Sequence, residues 1–142
     1  MKPYEIPTME SCMTLKPVSI CSNDTLEKAV GLMFKHGIRH LPVVDGDQLV
    51  GILSDRDIGQ CGGTGRNEPR IYGDVDLLQP VSEVMSSPPI SARRETSIHE
   101  AIKQLVQNRI GALPVIDSDN KLIGIFTETD GLEYCLLLIE RY

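Results

Sequence analysis

Two short motifs in the sequence combine residue types that could bind a phosphorylated sugar. Ser54 and Asp57 stand three positions apart, and Thr127 and Asp130 repeat that spacing near the C-terminus. A hydroxyl between a strand and a helix favours phosphate, because free backbone N–H groups lie at the positive end of the helix. A carboxylate on the first helical turn offers two acceptor oxygens to the hydroxyls of a ribose. Each motif therefore predicts a phosphate end and a sugar end of one nucleotide site.

The same spacing also has a purely structural interpretation. A Ser or Thr followed three residues later by an acidic residue is a common helix N-cap, and taken alone each motif favours capping. Both motifs, however, follow a Gly-Ile pair, at 51–52 and at 124–125. This shared context favours a contact with a nucleotide.

The two motifs belong to an internal duplication. Residues 13–45 align with 85–117 at a constant offset of 72, and 49–57 align with 122–130 at an offset of 73. The change of offset reflects one extra residue in the second copy. A register kept over both stretches indicates a tandem repeat.

Each copy contains the pattern of an amphipathic helix. Apolar residues recur at i, i+3, i+4, i+7 and i+8, which predicts a face directed at the core. These residues are Leu26, Ala29, Val30, Met33 and Phe34 in the first copy, and Ile98, Ala101, Ile102, Leu105 and Val106 in the second. Asp24 with Glu27, and Ser97 with Glu100, predict the helix starts, and Gly37 predicts a left-handed end of the first helix.

Two β-rich runs follow each of these helices. They cover 41–44 and 49–53 in the first copy, and 113–116 and 122–126 in the second, with a polar turn between the runs. This arrangement predicts a hairpin in each copy. A second helix is expected directly after Ser54 and after Thr127. The predicted fold class is α+β, with the order strand, helix, strand, strand, helix in each repeat.

Length and composition exclude several classes of function. A chain of 142 residues holds one core, or two small lobes that share one, but no catalytic barrel. The formal charge of −6 argues against nucleic acid and against an anionic membrane, and 4% aromatic residues argue against a stacking surface. The N-terminus lacks a signal peptide, no apolar run approaches the roughly 20 residues that span a bilayer, and the four cysteines form no CxxC. We therefore expect a cytoplasmic protein with no membrane partner.

The candidates for catalysis and for metal binding are weak. His36 and His40 stand four apart but lie on either side of the expected helix end, so they would not share a helical face. The glycine-rich stretch 61–65 lacks the Lys of a phosphate-binding loop. Cys61 has no predicted base, and His99 is expected on an exposed first turn. The sequence predicts no metal site and no enzyme.

Three motifs that occur in the same order in both copies resemble the cystathionine-β-synthase (CBS) domain. In the first copy they are Met13-Thr14 with Pro17-Val18, Ile38–Asp45 and Gly51–Asp57; in the second they are Met85-Ser86 with Pro89-Ile90, Ile110–Asp117 and Gly124–Asp130. The resemblance covers residues 8 to 140 and implies a stand-alone pair of CBS domains, a Bateman module, with pseudo-two-fold symmetry. The expected domains are 8–60 and 80–142, with an inter-repeat loop at 61–79.

The resemblance implies a regulatory protein that binds an adenosine compound. The expected regulatory ligands are AMP, ADP, ATP or S-adenosylmethionine, and no obligatory cofactor is expected. The alternative is a dimerisation or scaffold module that binds no ligand. The regulated target would be a separate protein, which the sequence does not name.

The resemblance further implies that each site combines residues of both repeats. Thr127 and Asp130 would pair with Val18, Ile38, Arg39, His40 and Pro42. Ser54 and Asp57 would pair with Ile90, Ile110, Gly111, Ala112 and Pro114. Because Arg39 and His40 can carry positive charge, we expect their site to prefer a phosphorylated ligand. The site with Gly111 and Ala112 would bind more weakly or accept an uncharged adenosyl group.

The C-terminal residues 132–139 are apolar around most of a helix. One face must pack on the protein itself, and the remaining apolar surface would be exposed in a monomer. Modules of the family that this chain resembles commonly form disc-shaped dimers. We therefore expect a homodimer.

Overall fold

A computed structural model describes residues 5–61 and 75–141 of the chain. The elements in chain order are α1 (Met9–Cys12), β1 (Thr14–Leu15), β2 (Ile20–Cys21), α2 (Leu26–His36), β3 (His40–Asp45), β4 (Gln48–Ser54), α3 (Asp55–Cys61), a 3-10 helix (Val81–Glu83), α4 (Ile98–Asn108), β5 (Ala112–Ile116), β6 (Leu122–Thr127) and α5 (Glu128–Arg141). The mixed content confirms the α+β class. Both predicted hairpins are present, and each of their strands is one or two residues longer than the sequence pattern indicates.

The chain divides into two compact units that do not coincide with the sequence repeats. Unit 1 consists of Met1–Pro17 with Ile90–Tyr142, and unit 2 consists of Val18–Pro89. Each unit therefore combines the helices and the hairpin of one repeat with the segment that opens the other. The predicted domains 8–60 and 80–142 remain predictions about the repeats, and most of the expected loop at 61–79 lies outside the described residues.

Unit 2 is built on a sheet with the strand order β2-β3-β4. β2 runs parallel to β3, and β3 pairs antiparallel with β4. The sheet and the helices enclose a core formed by Ile20, Leu26, Ala29, Met33, Leu41, Val43, Leu53, Ile58 and Val81. Along β4, half-buried and buried residues alternate, which is typical of a strand with one face on a core.

Unit 1 is built on a sheet with the strand order β1-β6-β5, in which both pairings are antiparallel. Its core consists of Met9, Met13, Ala92, Ile98, Ala101, Leu105, Leu113, Val115 and Phe126. The short helix α1 contributes Met9, which is fully buried. Residues from both ends of the chain are therefore needed to complete this core.

The ends of α2 and α4 confirm most of the predicted capping. The Ser97 hydroxyl accepts the N–H of Glu100 at 3.1 Å, and Gly37 ends α2 with φ 63°. The predicted cap at Asp24 is wrong by one residue: Thr25 caps α2 by accepting the N–H of Lys28 at 3.2 Å. Asp24 instead accepts the N–H of Cys21 at 3.0 Å, and this hydrogen bond lowers the pKa of its carboxyl group.

The predicted apolar faces of α2 and α4 are too wide by one position. Phe34 is 91% exposed and Val106 is 71% exposed, whereas the other four residues of each stripe are buried or half-buried. At 3.6 residues per turn, Phe34 lies about 80° around the helix from Leu26, on the side opposite to Ala29. The core therefore covers a narrower stripe than the sequence pattern predicts.

The opening motif of each repeat packs on the Gly-Ile motif of the other. A Cβ added to Gly124 would lie 2.5 Å from Met13 Sδ and 3.0 Å from the Thr14 carbonyl oxygen. A Cβ added to Gly51 would meet Met85 Sδ and the Ser86 carbonyl oxygen at the same two distances. Both glycines are therefore required for the close approach of a neighbouring backbone.

Candidate functional site

In unit 2, Ser54 and Asp57 are bonded to each other at the start of α3. The N–H of Ser54 donates to Asp57 Oδ2 at 2.9 Å, and the N–H of Asp57 donates to Ser54 Oγ at 3.0 Å. This reciprocal pair is a capping box. Both residues are half-buried, so they also remain accessible from solvent.

In unit 1, Thr127 and Asp130 make the equivalent pair at the start of α5. Asp130 Oδ2 accepts the N–H of Thr127 at 2.9 Å and its hydroxyl at 3.1 Å, and the N–H of Asp130 donates to Thr127 Oγ1 at 3.3 Å. The capping interpretation of both motifs is thus satisfied. Within the described residues these bonds use only Oδ2 of each Asp, which leaves Oδ1 available to a ligand.

The backbone N–H groups of the two helix starts are largely occupied. The N–H of Asp55 donates to the Arg39 carbonyl oxygen, and the N–H of Glu128 donates to the Gly111 carbonyl oxygen, each at 2.9 Å. The third N–H of each helix is used by the capping box. Of the first three N–H groups, only that of the second residue, Arg56 or Thr129, has no partner among the described residues. The phosphate end of each predicted site therefore offers fewer free backbone N–H groups than the sequence indicates.

The neighbouring strand ends differ between the two units. In unit 2, His40 on β3 pairs with Ser54 on β4, and in unit 1, Ala112 on β5 pairs with Thr127 on β6. Directly paired residues point to the same face of a sheet, with Cβ atoms about 5 Å apart. An imidazole thus lies beside one hydroxyl and a methyl group beside the other.

The remaining predicted residues are placed as follows. Unit 2 holds Val18 and Ile38, half-buried against its core, together with exposed Arg39 and buried Pro42; unit 1 holds exposed Ile90, half-buried Ile110 and Gly111, and buried Ala112 and Pro114. Each hydroxyl–carboxylate pair thus shares its unit with strand residues of its own repeat. The combination of residues from both repeats in one site remains a prediction.

Apart from His40, which pairs with Ser54, the residues considered for metal binding or catalysis lie outside these motifs. His36 and His99 are exposed on helices, and the described residues contain no cluster of His, Cys, Asp or Glu that could hold a metal. All four cysteines are free thiols, with Cys61 exposed, and residues 62–65 of the glycine-rich stretch lie outside the described residues. No helix in the described residues has the length and apolar character needed to cross a membrane.

One basic residue of unit 1, Arg109, was not among the predicted site residues. Arg109 occupies the C-cap of α4, where the aligned residue of the first repeat is Gly37. The alignment of the repeats at an offset of 72 could have identified it, because an arginine replaces a glycine at a position with positive φ. Arg109 lies two residues before Gly111, which contacts the start of α5.

Comparison with known proteins identifies the relatives of both repeats. A sequence profile described as the CBS domain matches residues 9–59 and 81–136. The chain is 34% identical over 119 residues to the CBS domain-containing protein YhcV of Bacillus subtilis. That match covers 83% of this chain and 78% of YhcV. It is 32% identical over 117 residues to an inosine-5'-monophosphate dehydrogenase of Methanocaldococcus jannaschii. That match covers 82% of this chain but only 21% of the dehydrogenase.

Solved structures have the same fold. CBSX2 in complex with AMP superposes with a TM-score of 0.79 at 25% identity, covering 92% of this chain and 97% of that chain. The CBS-pair protein CBSX2 from Arabidopsis thaliana superposes with a TM-score of 0.76 at 28% identity, covering 97% and 99% of the two chains. The similarity therefore extends over nearly the whole of both solved chains.

Proposed function

This chain belongs to the CBS domain family, and we propose that it is a regulatory module that binds adenosine nucleotides at its two hydroxyl–carboxylate motifs. The observation that carries the proposal is the intact pair in each unit, Ser54 with Asp57 and Thr127 with Asp130. In each pair one carboxylate oxygen remains available to a ribose hydroxyl. The complex of the similar protein CBSX2 with AMP supports AMP as the first ligand to test.

ADP, ATP and S-adenosylmethionine are the other candidate ligands, and no obligatory cofactor is part of the proposal. The module acts in the cytoplasm, catalyses no reaction, and controls a separate protein. Occupancy of a site changes the shape or the interface of the module. The free energy for such a change comes from the difference in ligand affinity between two arrangements.

A thermal-shift screen, confirmed by calorimetry, tests this function. The panel contains AMP, ADP, ATP, S-adenosylmethionine, NAD and GTP. A ligand that binds only the folded protein adds about 2.7 kcal/mol to the free energy of unfolding at a hundred times its dissociation constant. A flat response across the panel from folded, unliganded protein would favour the alternative function, a scaffold without a ligand.

The replacement Arg39→Ala should weaken AMP binding about tenfold or more. A guanidinium that donates to a phosphate makes a charge-assisted hydrogen bond, and such a bond contributes about 1.5–3 kcal/mol. Adenosine, which lacks the phosphate, should bind the variant and the unchanged protein equally. Calorimetry with both ligands measures the effect, and Lys103→Ala on α4 is the control for net charge. Equal AMP affinity in Arg39→Ala and in the unchanged protein would refute the role of Arg39.

We also propose that the module is a homodimer. Apolar side chains on α5 are strongly exposed, namely Leu132 (69%), Leu136 (53%), Leu137 (62%) and Ile139 (72%). Val106 on α4 is 71% exposed, and α4 packs on α5 within unit 1. Several strongly exposed apolar side chains on one helix are typical of a protein–protein interface.

The double replacement Leu132→Glu with Leu136→Glu should convert the dimer into a monomer. The two residues are four apart and therefore lie on the same face of α5, so both carboxylates would be placed in the interface. Light scattering at micromolar concentration should give twice 15.7 kDa for the unchanged protein and 15.7 kDa for the variant. The control is Leu78→Glu, at a 73% exposed leucine in unit 2, and it should leave the dimer intact. A monomeric unchanged protein would rule out the dimer.

A further inference from the structure

The hydroxyl groups of Ser54 and Thr127 differ in how their hydrogen atoms are used. Thr127 Oγ1 lies 3.1 Å from Asp130 Oδ2, and because a carboxylate can only accept, the Thr127 hydroxyl donates to it. Ser54 Oγ accepts the N–H of Asp57 at 3.0 Å, but it donates to no atom of the described residues. The hydrogen of the Ser54 hydroxyl therefore remains available to a ligand.

This difference changes how each hydroxyl can bind a phosphate. The oxygens of an ionised phosphate are acceptors, so a hydroxyl binds them by donating its hydrogen. The Ser54 hydroxyl can donate to a phosphate without losing a hydrogen bond. The Thr127 hydroxyl would first have to give up its bond to Asp130, and a hydrogen bond to a carboxylate is stronger than one between neutral groups. Thr127 is therefore the poorer donor to a phosphate.

The side chains beside the two hydroxyls differ in the same direction. His40 on β3 pairs with Ser54, and Ala112 on β5 pairs with Thr127. Because paired residues share one face of the sheet with their Cβ atoms about 5 Å apart, the side chain of half-buried His40 lies beside that of Ser54. An imidazole can carry a positive charge, which attracts a phosphate. The methyl group of Ala112 can neither donate a hydrogen bond nor carry a charge.

The formal charges of the two motifs favour the same difference. The segment 54–57 of unit 2 contains one arginine and two aspartates, and the carbonyl oxygen of Arg39 accepts the first N–H of α3. The segment 127–130 of unit 1 contains two carboxylates and no basic residue, and the aligned strand residues are Gly111 and Ala112. Within these segments of their own units, the formal charges around Ser54 balance, whereas those around Thr127 repel a phosphate.

We infer that the two sites bind different classes of ligand: the Ser54/Asp57 site selects phosphorylated adenosine compounds, and the Thr127/Asp130 site accepts adenosine compounds that lack a phosphate. Because this assignment rests on the proposed function, it divides the proposed ligands between the two units. It is the reverse of the order that the resemblance implies, in which His40 belongs to the Thr127/Asp130 site. The two assignments therefore give opposite expectations for the same variants.

Calorimetry with AMP and with adenosine on two single variants of the full chain separates the sites. Asp130→Asn leaves the Ser54/Asp57 site, and this variant should bind AMP at least about tenfold more tightly than adenosine. Asp57→Asn leaves the Thr127/Asp130 site, and this variant should bind the two compounds within about threefold of each other. The thermal midpoint without ligand shows whether both variants are folded.

The replacement His40→Ala, made in each of these two variants, tests the side chain beside the Ser54 hydroxyl. In the Asp130→Asn chain it should weaken AMP binding about fivefold to tenfold and leave the affinity for adenosine within about twofold. In the Asp57→Asn chain it should change neither affinity. His36→Ala is the matched control, because it removes an exposed histidine of α2 that lies outside both motifs.

Three results would overturn the assignment while leaving the proposed function in place. The first is an equal ratio of AMP affinity to adenosine affinity in the two single variants, and the second is a higher ratio in the Asp57→Asn chain. The third is an AMP affinity that His40→Ala leaves unchanged in the Asp130→Asn chain. If the unchanged chain bound neither AMP nor adenosine, the proposed function and this assignment would fail together.

Discussion

A chain that carries Asp57→Asn and Asp130→Asn together should bind AMP at least about a hundredfold more weakly than the unchanged chain. A carboxylate that accepts two ribose hydroxyls makes two charge-assisted hydrogen bonds, each contributing about 1.5–3 kcal/mol. An asparagine has one acceptor oxygen instead of two, and when that oxygen faces the capping N–H, an NH2 donor takes the place of the free carboxylate oxygen. No intact sugar end then remains in either unit.

Asparagine is the informative replacement because it preserves the fold. The N–H of Ser54 donates to Asp57 Oδ2, and the N–H of Thr127 donates to Asp130 Oδ2, each at 2.9 Å. The amide oxygen of an asparagine can accept the same N–H in each unit. Alanine would remove the cap as well, at a loss of about 1 kcal/mol per helix. The thermal midpoint of the asparagine variant without ligand should therefore stay close to that of the unchanged protein.

Calorimetry with AMP measures the loss, and Glu133→Gln with Glu140→Gln on α5 is the control that removes the same two charges outside both motifs. Each single Asp variant should keep the site of the other unit. AMP affinity that survives in the double variant would show that the carboxylates serve only as caps, and the proposed sites would be abandoned.

The sequence was most informative where a structure is set by neighbouring residues. The starts of α3 and α5 fall directly after Ser54 and Thr127 because each capping pair is formed within four residues. Gly37 ends α2 for a similarly local reason, since its φ of 63° is available to glycine without strain. These local interactions also explain why the candidate site residues could be named in advance.

The sequence could not predict which segments pack together over long distances. It showed that Met13 and Gly124 each belong to a repeated motif, but not that they contact each other in one unit. A contact between residues so far apart depends on the path of the whole chain, which propensity and periodicity do not encode. The exposure of Phe34 has a related cause, because the width of a buried helical face depends on what packs against it.

Replacement of Gly124 by alanine should lower the free energy of unfolding by about 2 kcal/mol, within the range of overpacked cores. The new Cβ would lie 2.5 Å from Met13 Sδ and 3.0 Å from the Thr14 carbonyl oxygen, and Met13 is a buried core residue. The sulfur can move, but Thr14 belongs to β1, which pairs with β6 at Ile125. In the variant, β1 must therefore move away from β6, or the new Cβ and the Thr14 oxygen remain too close.

Urea unfolding with a matched glycine distinguishes this packing effect from the general effect of alanine. Gly31 lies within α2 and has no atom within 4 Å of an added Cβ, so Gly31→Ala should stabilise the protein by about 0.5–1 kcal/mol. In a Met13→Ala background, which removes the sulfur but not the Thr14 oxygen, Gly124→Ala should be less destabilising by about 1 kcal/mol. If Gly124→Ala behaved like Gly31→Ala in both backgrounds, Met13 would not pack on this glycine, and the assignment of the opening segment to unit 1 would fail.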